Sequence, residues 1–485
     1  MACMTSASPG GVDSTQPIPL YLQLKTLLME EILRGRYGPN AQIPTEHELC
    51  QIYRISRTPV SRALSELAEE GVILRHRRRG TFVNPHWAPP ATGTSELRVV
   101  VPEGPWERLI RDAAPDDVNL NIATVSLPDL HQVLVHAVAE GRAPDIAVLD
   151  SVWVAEFAAA GFLYPLDEID PGWVADEYEP DFFEAFVDAT RFRGRPVAVA
   201  AEADVAGVWY RRTALAEVGV EGLARWPDLA KAGDGLASRV PAPIVLPGGS
   251  RAGETASYCL LALLASNGAR VLERERVVLH SAATVECLEF LRDLAGRGLI
   301  PQAAVTYEWD QPIRELGQGR AAICFGGSYE APALAAVAGL TAEKLWDEFG
   351  FAGIPQGPRG GAPTLAGAMA HGIFRQSTNP GVAMRLLTGV VSADAMARMS
   401  RSTGQLPSRR SAIPVAADAS PIHAASLDLL GNAVVRPATA AYARVSAQLQ
   451  AMLEAVLIGR LEPAEASGRA AEMIGAITGL PVIED

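Results

Sequence analysis

Cysteine is scarce in this chain of 485 residues. The five thiols, Cys3, Cys50, Cys259, Cys287 and Cys324, are odd in number, scattered and free of any CxxC or Cys/His spacing. That pattern excludes a disulfide framework and a structural zinc site, and reads as reduced, mostly buried thiols. Long apolar runs are missing as well: no stretch approaches the ~18 consecutive apolar residues that a membrane-spanning helix needs. The opening MACMTSASPGGVDSTQPIP has no basic segment followed by an apolar one, so no secretory signal is expected. The expectation is a cytoplasmic, unanchored protein. Aromatic residues are only 6% of the chain, and basic residues are outnumbered, for a formal charge of −14. Taken over the whole chain, that deficit argues against a polyanionic partner, because neutralising phosphates requires Lys and Arg.

Core material is ample, at 48% apolar residues. The length exceeds one core, since single domains run about 100 to 200 residues, so two or three domains are expected. Charge is distributed unevenly among them. Residues 1–90 carry ten Lys and Arg against eight Asp and Glu, a net +2, which leaves 32 against 48, a net −16, for the rest. Between Arg54 and Asn84 the balance is seven against three.

This basic segment has a definite local order. LYLQLKTLLMEEILRG spaces Leu20, Leu24, Leu27, Leu28 and Ile32 as on a helix, with Gly35 placed to end it. Thr45 and Glu48 form a capping box that predicts a second helix over about Glu46 to Tyr53, followed by a tight turn at Arg54 and Ile55. Ser56 is placed to cap a third helix, which tolerates Pro59 because its first turn has no intrahelical acceptors. On that helix Val60, Ala63, Leu64 and Leu67 make an apolar face, and Thr58, Ser61, Arg62 and Ser65 make an opposite polar one. VILRHRRRGTFV then reads as a hairpin with His76, Arg77, Arg78 and Arg79 at its tip before Gly80, where a missing side chain permits close approach to phosphate. Two short helices, the second with a free polar face, and a basic hairpin are the parts of a winged helix-turn-helix. Arg57, Thr58, Ser61 and Arg62 are the N-terminal residues that would meet base edges.

Pro44-Thr45-Glu46, Ser56-Arg57-Thr58, Ala63-Leu64, Leu67, Glu70-Gly71 and Arg79-Gly80-Thr81-Phe82-Val83 resemble the signature of the GntR family of bacterial transcription regulators, over about residues 17–84. The resemblance implies a homodimer on a palindromic, double-stranded operator. The DNA-binding set is then Thr45, Glu46, Arg57, Thr58, Ser61, Arg62, Arg77, Arg79, Gly80 and Thr81. Residues 1–16 are expected to be a disordered tail, and residues 85–95, in the proline-rich run NPHWAPPATGTS, an extended linker.

From Glu96 the text changes: LRVVV, a helical segment from Trp106, VNLNIATVS, a helix over Leu130 to Glu140 and APDIAVLD alternate strand with helix. That alternation predicts an α/β domain on a largely parallel sheet, with ligands met beyond the carboxyl ends of the strands. Glu103, Trp106, Asp150 and Trp153 fall at such ends. Further on, FRGRPVAVAAEADVAGVWYRRTALAEVGV, LGQGRAAICFGGSYE, GAMAHGIFRQSTNPGVAMRLLTGVVS and GQLPSRRSA recur in the order seen in extracellular solute-binding proteins that serve sugar ABC transporters, which residues 96–482 resemble. The overall fold class is therefore α/β: a winged helix-turn-helix followed by a two-lobed, periplasmic-binding-protein-like α/β domain over 96–485. The resemblance implies lobe one over about 96–201 and 352–405, lobe two over about 202–351 and 406–485, hinges near Ala201 to Asp204 and near Gly350 to Ile354, and a solute site in the interlobe cleft. It places there Glu103, Trp106, Asp150, Trp153, Glu202, Asp204, Trp309, Ser328, Tyr329, His371, Arg409, Arg436 and Tyr442. Sugars pair an apolar C–H face with aromatic rings and their hydroxyls with carboxylates and arginine, and this set supplies both.

The expected function is a DNA-binding regulator, a repressor, controlled by a small solute, foremost a sugar. An alternative keeps the regulator but gives the second domain only a dimerising role. A transport receptor would need an export signal and no DNA-binding head. An enzyme of the pyridoxal phosphate class would need a Schiff-base lysine, yet beyond the head only Lys231 and Lys344 occur, both reading as surface. Gly248-Gly249 and Gly326-Gly327 read as turns, not phosphate loops. No cofactor or metal is expected.

Overall fold

The computed structural model describes residues 12, 18–76, 79–87, 96–273, 275–362, 364–416 and 421–483. Arg77 and Arg78 of the wing, the linker beyond Trp87 and, save Val12, the N-terminal tail lie outside them. The chain divides into two compact units. The first is Met1–Pro180, Thr190–Val199 and Ala370–Val391; the second is Asp181–Ala189, Ala200–Met369 and Ser392–Asp485. Among the described residues no helix is long and apolar enough to cross a membrane.

The first unit opens with the head: α1 (Leu20–Leu33), β1 (Gln42–Ile43), α2 (Glu46–Tyr53), α3 (Arg57–Glu69), β2 (Ile73–His76) and β3 (Gly80–Val83). The capping box forms as the sequence implies, with Glu48 N donating to Thr45 Oγ1 at 3.3 Å and Thr45 N donating to Glu48 Oε2 at 2.8 Å. Arg54 then turns the chain through a left-handed conformation, φ 53°. Ser56 stands at the N-cap of α3, but its side chain makes no capping hydrogen bond. The third residue of that helix is Pro59, which has no N–H to offer, so the usual capping partner is missing. Strands β1, β3 and β2 form an antiparallel three-stranded sheet in that order. Val60, Ala63, Leu64 and Leu67 are fully buried, and they close the head's core with Leu24, Leu28 and Met29 of α1.

Helix α1 has a second buried side. Ile18 and Leu22 join a separate core with Leu130, Leu134, Val135 and Val138 of α5 (Leu127–Ala139). That core belongs to the lobe built on β4 (Glu96–Pro102), α4 (Trp106–Ala113), β5 (Asn119–Val125), α5 and β6 (Ile146–Asp150). Strand β4 lies between β5 and β6 and pairs with both in parallel, the arrangement expected of strand and helix alternation. The sulfur of Met29 packs so closely on Gly141, after α5, that a Cβ there would lie 2.8 Å from it.

In the second unit, strand Ala242–Val245 runs parallel to Ala321–Gly327, which pairs antiparallel with the long strand Val199–Arg211. Residues 352–369 and 392–405, expected in lobe one, fall in this unit. Pairing explains their place. Phe349–Ala352 and Leu406–Pro407 both lie antiparallel to the long strand, and Leu365–Ala366 pairs with Val434–Val435. Gly326 and Gly327, expected in a turn, sit inside a strand, where the side chains of Glu330 and Tyr329 occupy the space a Cβ would need. We predict that Leu64→Ala, at a fully buried site on α3, destabilises the head by about 2 to 5 kcal/mol in urea unfolding, through lost burial and a residual cavity.

Candidate nucleic-acid interface and solute site

Arg57, Thr58, Ser61, Arg62 and Ser65 line one shallow groove on α3, so the polar face is solvent-facing along its length. Its arginines are held at their bases. Arg57 Nε donates to Glu46 Oε2 at 2.9 Å, and Arg75 Nη2 donates to Glu46 Oε1 at 2.6 Å. These bonds, chiefly that from Arg57, hold the Glu46 carboxyl below the usual carboxylate range. Arg62 Nε donates to Glu66 Oε1 at 3.0 Å, and its guanidinium lies 3.6 Å from the centroid of the Tyr21 ring. Glu66 also accepts from buried Lys25 at 3.3 Å, and Lys25 reaches Glu70 at 2.5 Å. Arg62 is thereby tied to α1 twice, through Glu66 and through Tyr21.

Thr45 is engaged in the capping box and Glu46 in the two arginine bonds, so both shape the interface from within the head. At the wing Arg79 is exposed, and its N–H donates to His76 O at 3.1 Å. Gly80 has φ +108°, which favours glycine, and Thr81 lies in β3 opposite Ile43 and Arg75. Arg77 lies outside the described residues. Sequence reasoning missed Arg75, whose Nη1 also donates to Ser65 Oγ at 3.1 Å. The available signal was its place two residues after Ile73 on β2, on the strand face that Ile73 turns to the core.

Of the expected solute ligands, five lie in the first unit. Exposed Glu103 and half-buried Trp106 follow β4, Asp150 ends β6 and Trp153 follows it, so the four stand at the carboxyl ends of neighbouring parallel strands. The Trp106 ring lies beside Gly104, φ +131°, where a Cβ would come within 2.5 Å of it; its Nε1 is buried with no hydrogen-bond partner among the described residues. Asp150 Oδ1 accepts from Val152 N at 3.1 Å, and Trp153 meets the His131 ring edge-on at 5.2 Å. His131 is paired in turn with buried Glu156 at 3.1 Å. His371 is buried in the strand Leu365–Ile373.

Eight lie in the second unit, and five of them gather in one polar network. Tyr258 Oη donates to Asp204 Oδ1 and lies within 3.3 Å of Leu365 O. Ser328 Oγ accepts from Val205 N at 3.1 Å, and Tyr329 stands beside Tyr258 with ring centroids 6.4 Å apart. Arg436 lies 5.7 Å over the Tyr258 ring and donates to Glu254 Oε1 at 3.0 Å, an oxygen that also accepts from Tyr442 Oη at 2.6 Å. Ser446 Oγ donates to Glu254 Oε2 at 2.7 Å. Glu254, Tyr258 and Glu330 were not foreseen. Burial pushes the Glu330 carboxyl up to about 8, against the bond that its oxygen accepts from Gly327 N at 2.9 Å. Glu202 is buried on the long strand opposite Pro407, Arg409 donates to Asp181 at 2.6 Å, and Trp309 is 53% exposed.

A winged-helix head carried on a solute-binding-like α/β body is the class that this fold and these sites define. The chain belongs to the family of bacterial extracellular solute-binding proteins, whose family model matches residues 102–397, and its head matches the bacterial regulatory proteins of the gntR family over residues 20–83. An uncharacterized HTH-type transcriptional regulator of Bacillus subtilis is 48% identical over 65 residues, 13% of this chain and 27% of its own length. A probable fructoselysine utilization operon transcriptional repressor of Escherichia coli is 42% identical over 64 residues, 13% of this chain and 26% of its own. The chain thus spans about a quarter of the regulators it matches. The GacH receptor of Streptomyces glaucescens, solved unliganded and with acarbose, superposes with a TM-score of 0.69 at 20% identity, over 79% of this chain and 99% of that one, a likeness that shows the fold.

Glu330 carries a prediction. Its folded-state value of about 8 lies above its ordinary 4.5, so between these values the folded protein holds a proton that the unfolded chain releases. Stability should therefore fall as pH rises from 4.5 through 8, and Glu330→Gln, which cannot ionise, should flatten that fall in denaturation midpoints measured across the window.

Proposed function

We propose that this protein is a sequence-specific transcriptional regulator, acting as a repressor, whose binding to operator DNA is controlled by a small solute, foremost a sugar, held by the solute-binding-like body. It works in the cytoplasm as a homodimer on a palindromic site. The observation that carries this reading is a single helix, α1, which lies in the cores of both the DNA-facing head and the first lobe of the sensor. The arginines of α3 meet bases, and Arg79 in the wing meets phosphate. A solute that alters lobe one alters the seat of α1 and, through Tyr21 and Glu66, the setting of Arg62. A difference of about 1 to 3 kcal/mol in solute affinity between two states changes operator affinity about 5- to 150-fold. The repressor likeness of the head and the sugar-receptor fold of the body both support the reading.

One observation favours a second reading, in which the body only dimerises. Tyr442 is 2% exposed and the Arg436 side chain 8%, both bonded to Glu254, so part of the expected solute set serves the interior.

The two readings separate in one experiment. Operator fragments selected from genomic DNA are titrated with the full chain, with and without sugars, polyols and polyamines that raise its melting temperature. A stabilising solute that shifts operator affinity supports the first reading, and a dimer indifferent to every compound supports the second. In the same assay Arg62→Ala should weaken operator binding and relax base preference, whereas Arg79→Ala should weaken all sequences alike and reduce the salt dependence. Identical profiles for the two variants would contradict this division of roles. Trp309→Ala should remove the solute response and leave solute-free DNA binding unchanged.

A further inference from the structure

At the junction of α1 with lobe one lies a cavity of about 250 Å³ that neither the DNA-facing nor the solute reading uses. Three guanidinium groups line it, Arg34 at the C-cap of α1, Arg98 from β4 and Arg375 from the segment after the strand Leu365–Ile373, together with the carboxyl of Glu30 on α1. Glu30 is 8% exposed. Its Oε2 accepts from Arg34 Nη2 at 2.9 Å, while its Oε1 and the Nε of Arg98, both buried, have no hydrogen-bond partner among the described residues. Arg98 Nε is 3.7 Å from Asp145 Oδ2, and Arg375 uses its Nε on Leu163 O at 3.0 Å. The cavity wall therefore holds three guanidinium groups against the single carboxyl of Glu30, with the Asp145 and Glu168 carboxylates behind Arg98 and Arg375, and two buried polar atoms, Glu30 Oε1 and Arg98 Nε, that make no hydrogen bond among the described residues.

We propose that this cavity binds a small oxyanion, inorganic phosphate or the phosphoryl group of a small metabolite, held by Arg34, Arg98 and Arg375 with Glu30 beside it, and that the bound ion braces the head against lobe one. Guanidinium groups match tetrahedral oxyanions in charge and geometry, and charge-assisted hydrogen bonds are the strong ones. Glu30 fits as a neutral donor. Burial pushes its carboxyl up to about 7, so near neutrality a large share carries a proton that can be donated to an anion oxygen. The groups that set its charge are Glu31 and Arg34 on its own helix and Arg375 on the lobe; Arg98 and Tyr164 share the cavity, with Asp145 behind Arg98 and Glu168 behind Arg375. An anion that needs Glu30 protonated binds more tightly at lower pH.

Sulfate, whose charge is constant between pH 6 and pH 8, is the probe. Thermal unfolding of the full chain is followed against sodium sulfate, with sodium chloride at matched ionic strength as reference. The expected result is a saturable rise in melting temperature at pH 6, with half-saturation roughly tenfold weaker at pH 8. Arg98→Gln should lose the saturable part, and Glu30→Gln, whose amide donates at every pH, should bind with no pH dependence. Arg34 is half exposed, so Arg34→Gln gives a second variant if Arg98→Gln does not fold, and it should weaken sulfate roughly tenfold. No saturation beyond chloride at pH 6, or wild-type behaviour in both arginine variants, would overturn the proposal. Glucose 6-phosphate binding more tightly than inorganic phosphate assigns the site to a phosphorylated metabolite, and equal binding assigns it to the free ion.

Discussion

The structure depends on one helix that has no solvent side to spare. Helix α1 gives Leu24, Leu28 and Met29 to the head's core, Leu22 to the core of lobe one, and Lys25 to the carboxylates of α3. A helix buried on several faces cannot shift against one neighbour without disturbing the other, because packed interiors tolerate little change of volume. Side-chain packing along α1 joins the winged-helix head to lobe one, and α1 meets Arg62 directly through the Tyr21 ring and, by way of Lys25, through the Glu66 carboxylate.

Charge has a similar double use. A surface arginine on a DNA-facing helix loses rotamer freedom when it meets a base, and a carboxylate that already holds its Nε reduces that loss. Glu46 and Glu66 hold Arg57 and Arg62 in this way, each at its Nε. The body keeps its acids differently. Glu254 is satisfied by Arg436, Tyr442 and Ser446, whereas Glu330 accepts from Gly327 N and burial pushes its carboxyl up to about 8.

Local signals were legible and long-range ones were not. The boundaries of α2 follow from Thr45 and Glu48, three residues apart, and the two faces of α3 follow from helical spacing, as burial of Val60, Ala63, Leu64 and Leu67 confirms. The α/β body was legible through its strand and helix alternation and the order of its motifs. Glu254 could not be found that way, because its partners lie 182, 188 and 192 residues along the chain. Gly326-Gly327 was misread because a glycine pair looks the same in a turn and in a strand crowded by the side chains after it. Ser56 is of the residue type that caps a helix, but Pro59 three residues on has no N–H for its side chain to accept. The packing of α1 on α5 pairs segments with no shared local pattern, so nothing in either sequence announced it.

The central claim, that head and lobe one share α1 as a single folding unit, is tested most directly by amide hydrogen exchange on the full chain carrying Leu134→Ala, a fully buried site on α5. Loss of protection in α1 and α3 of the head, together with α5, is expected. Loss confined to α5, with the head exchanging as in the unaltered protein, would contradict it.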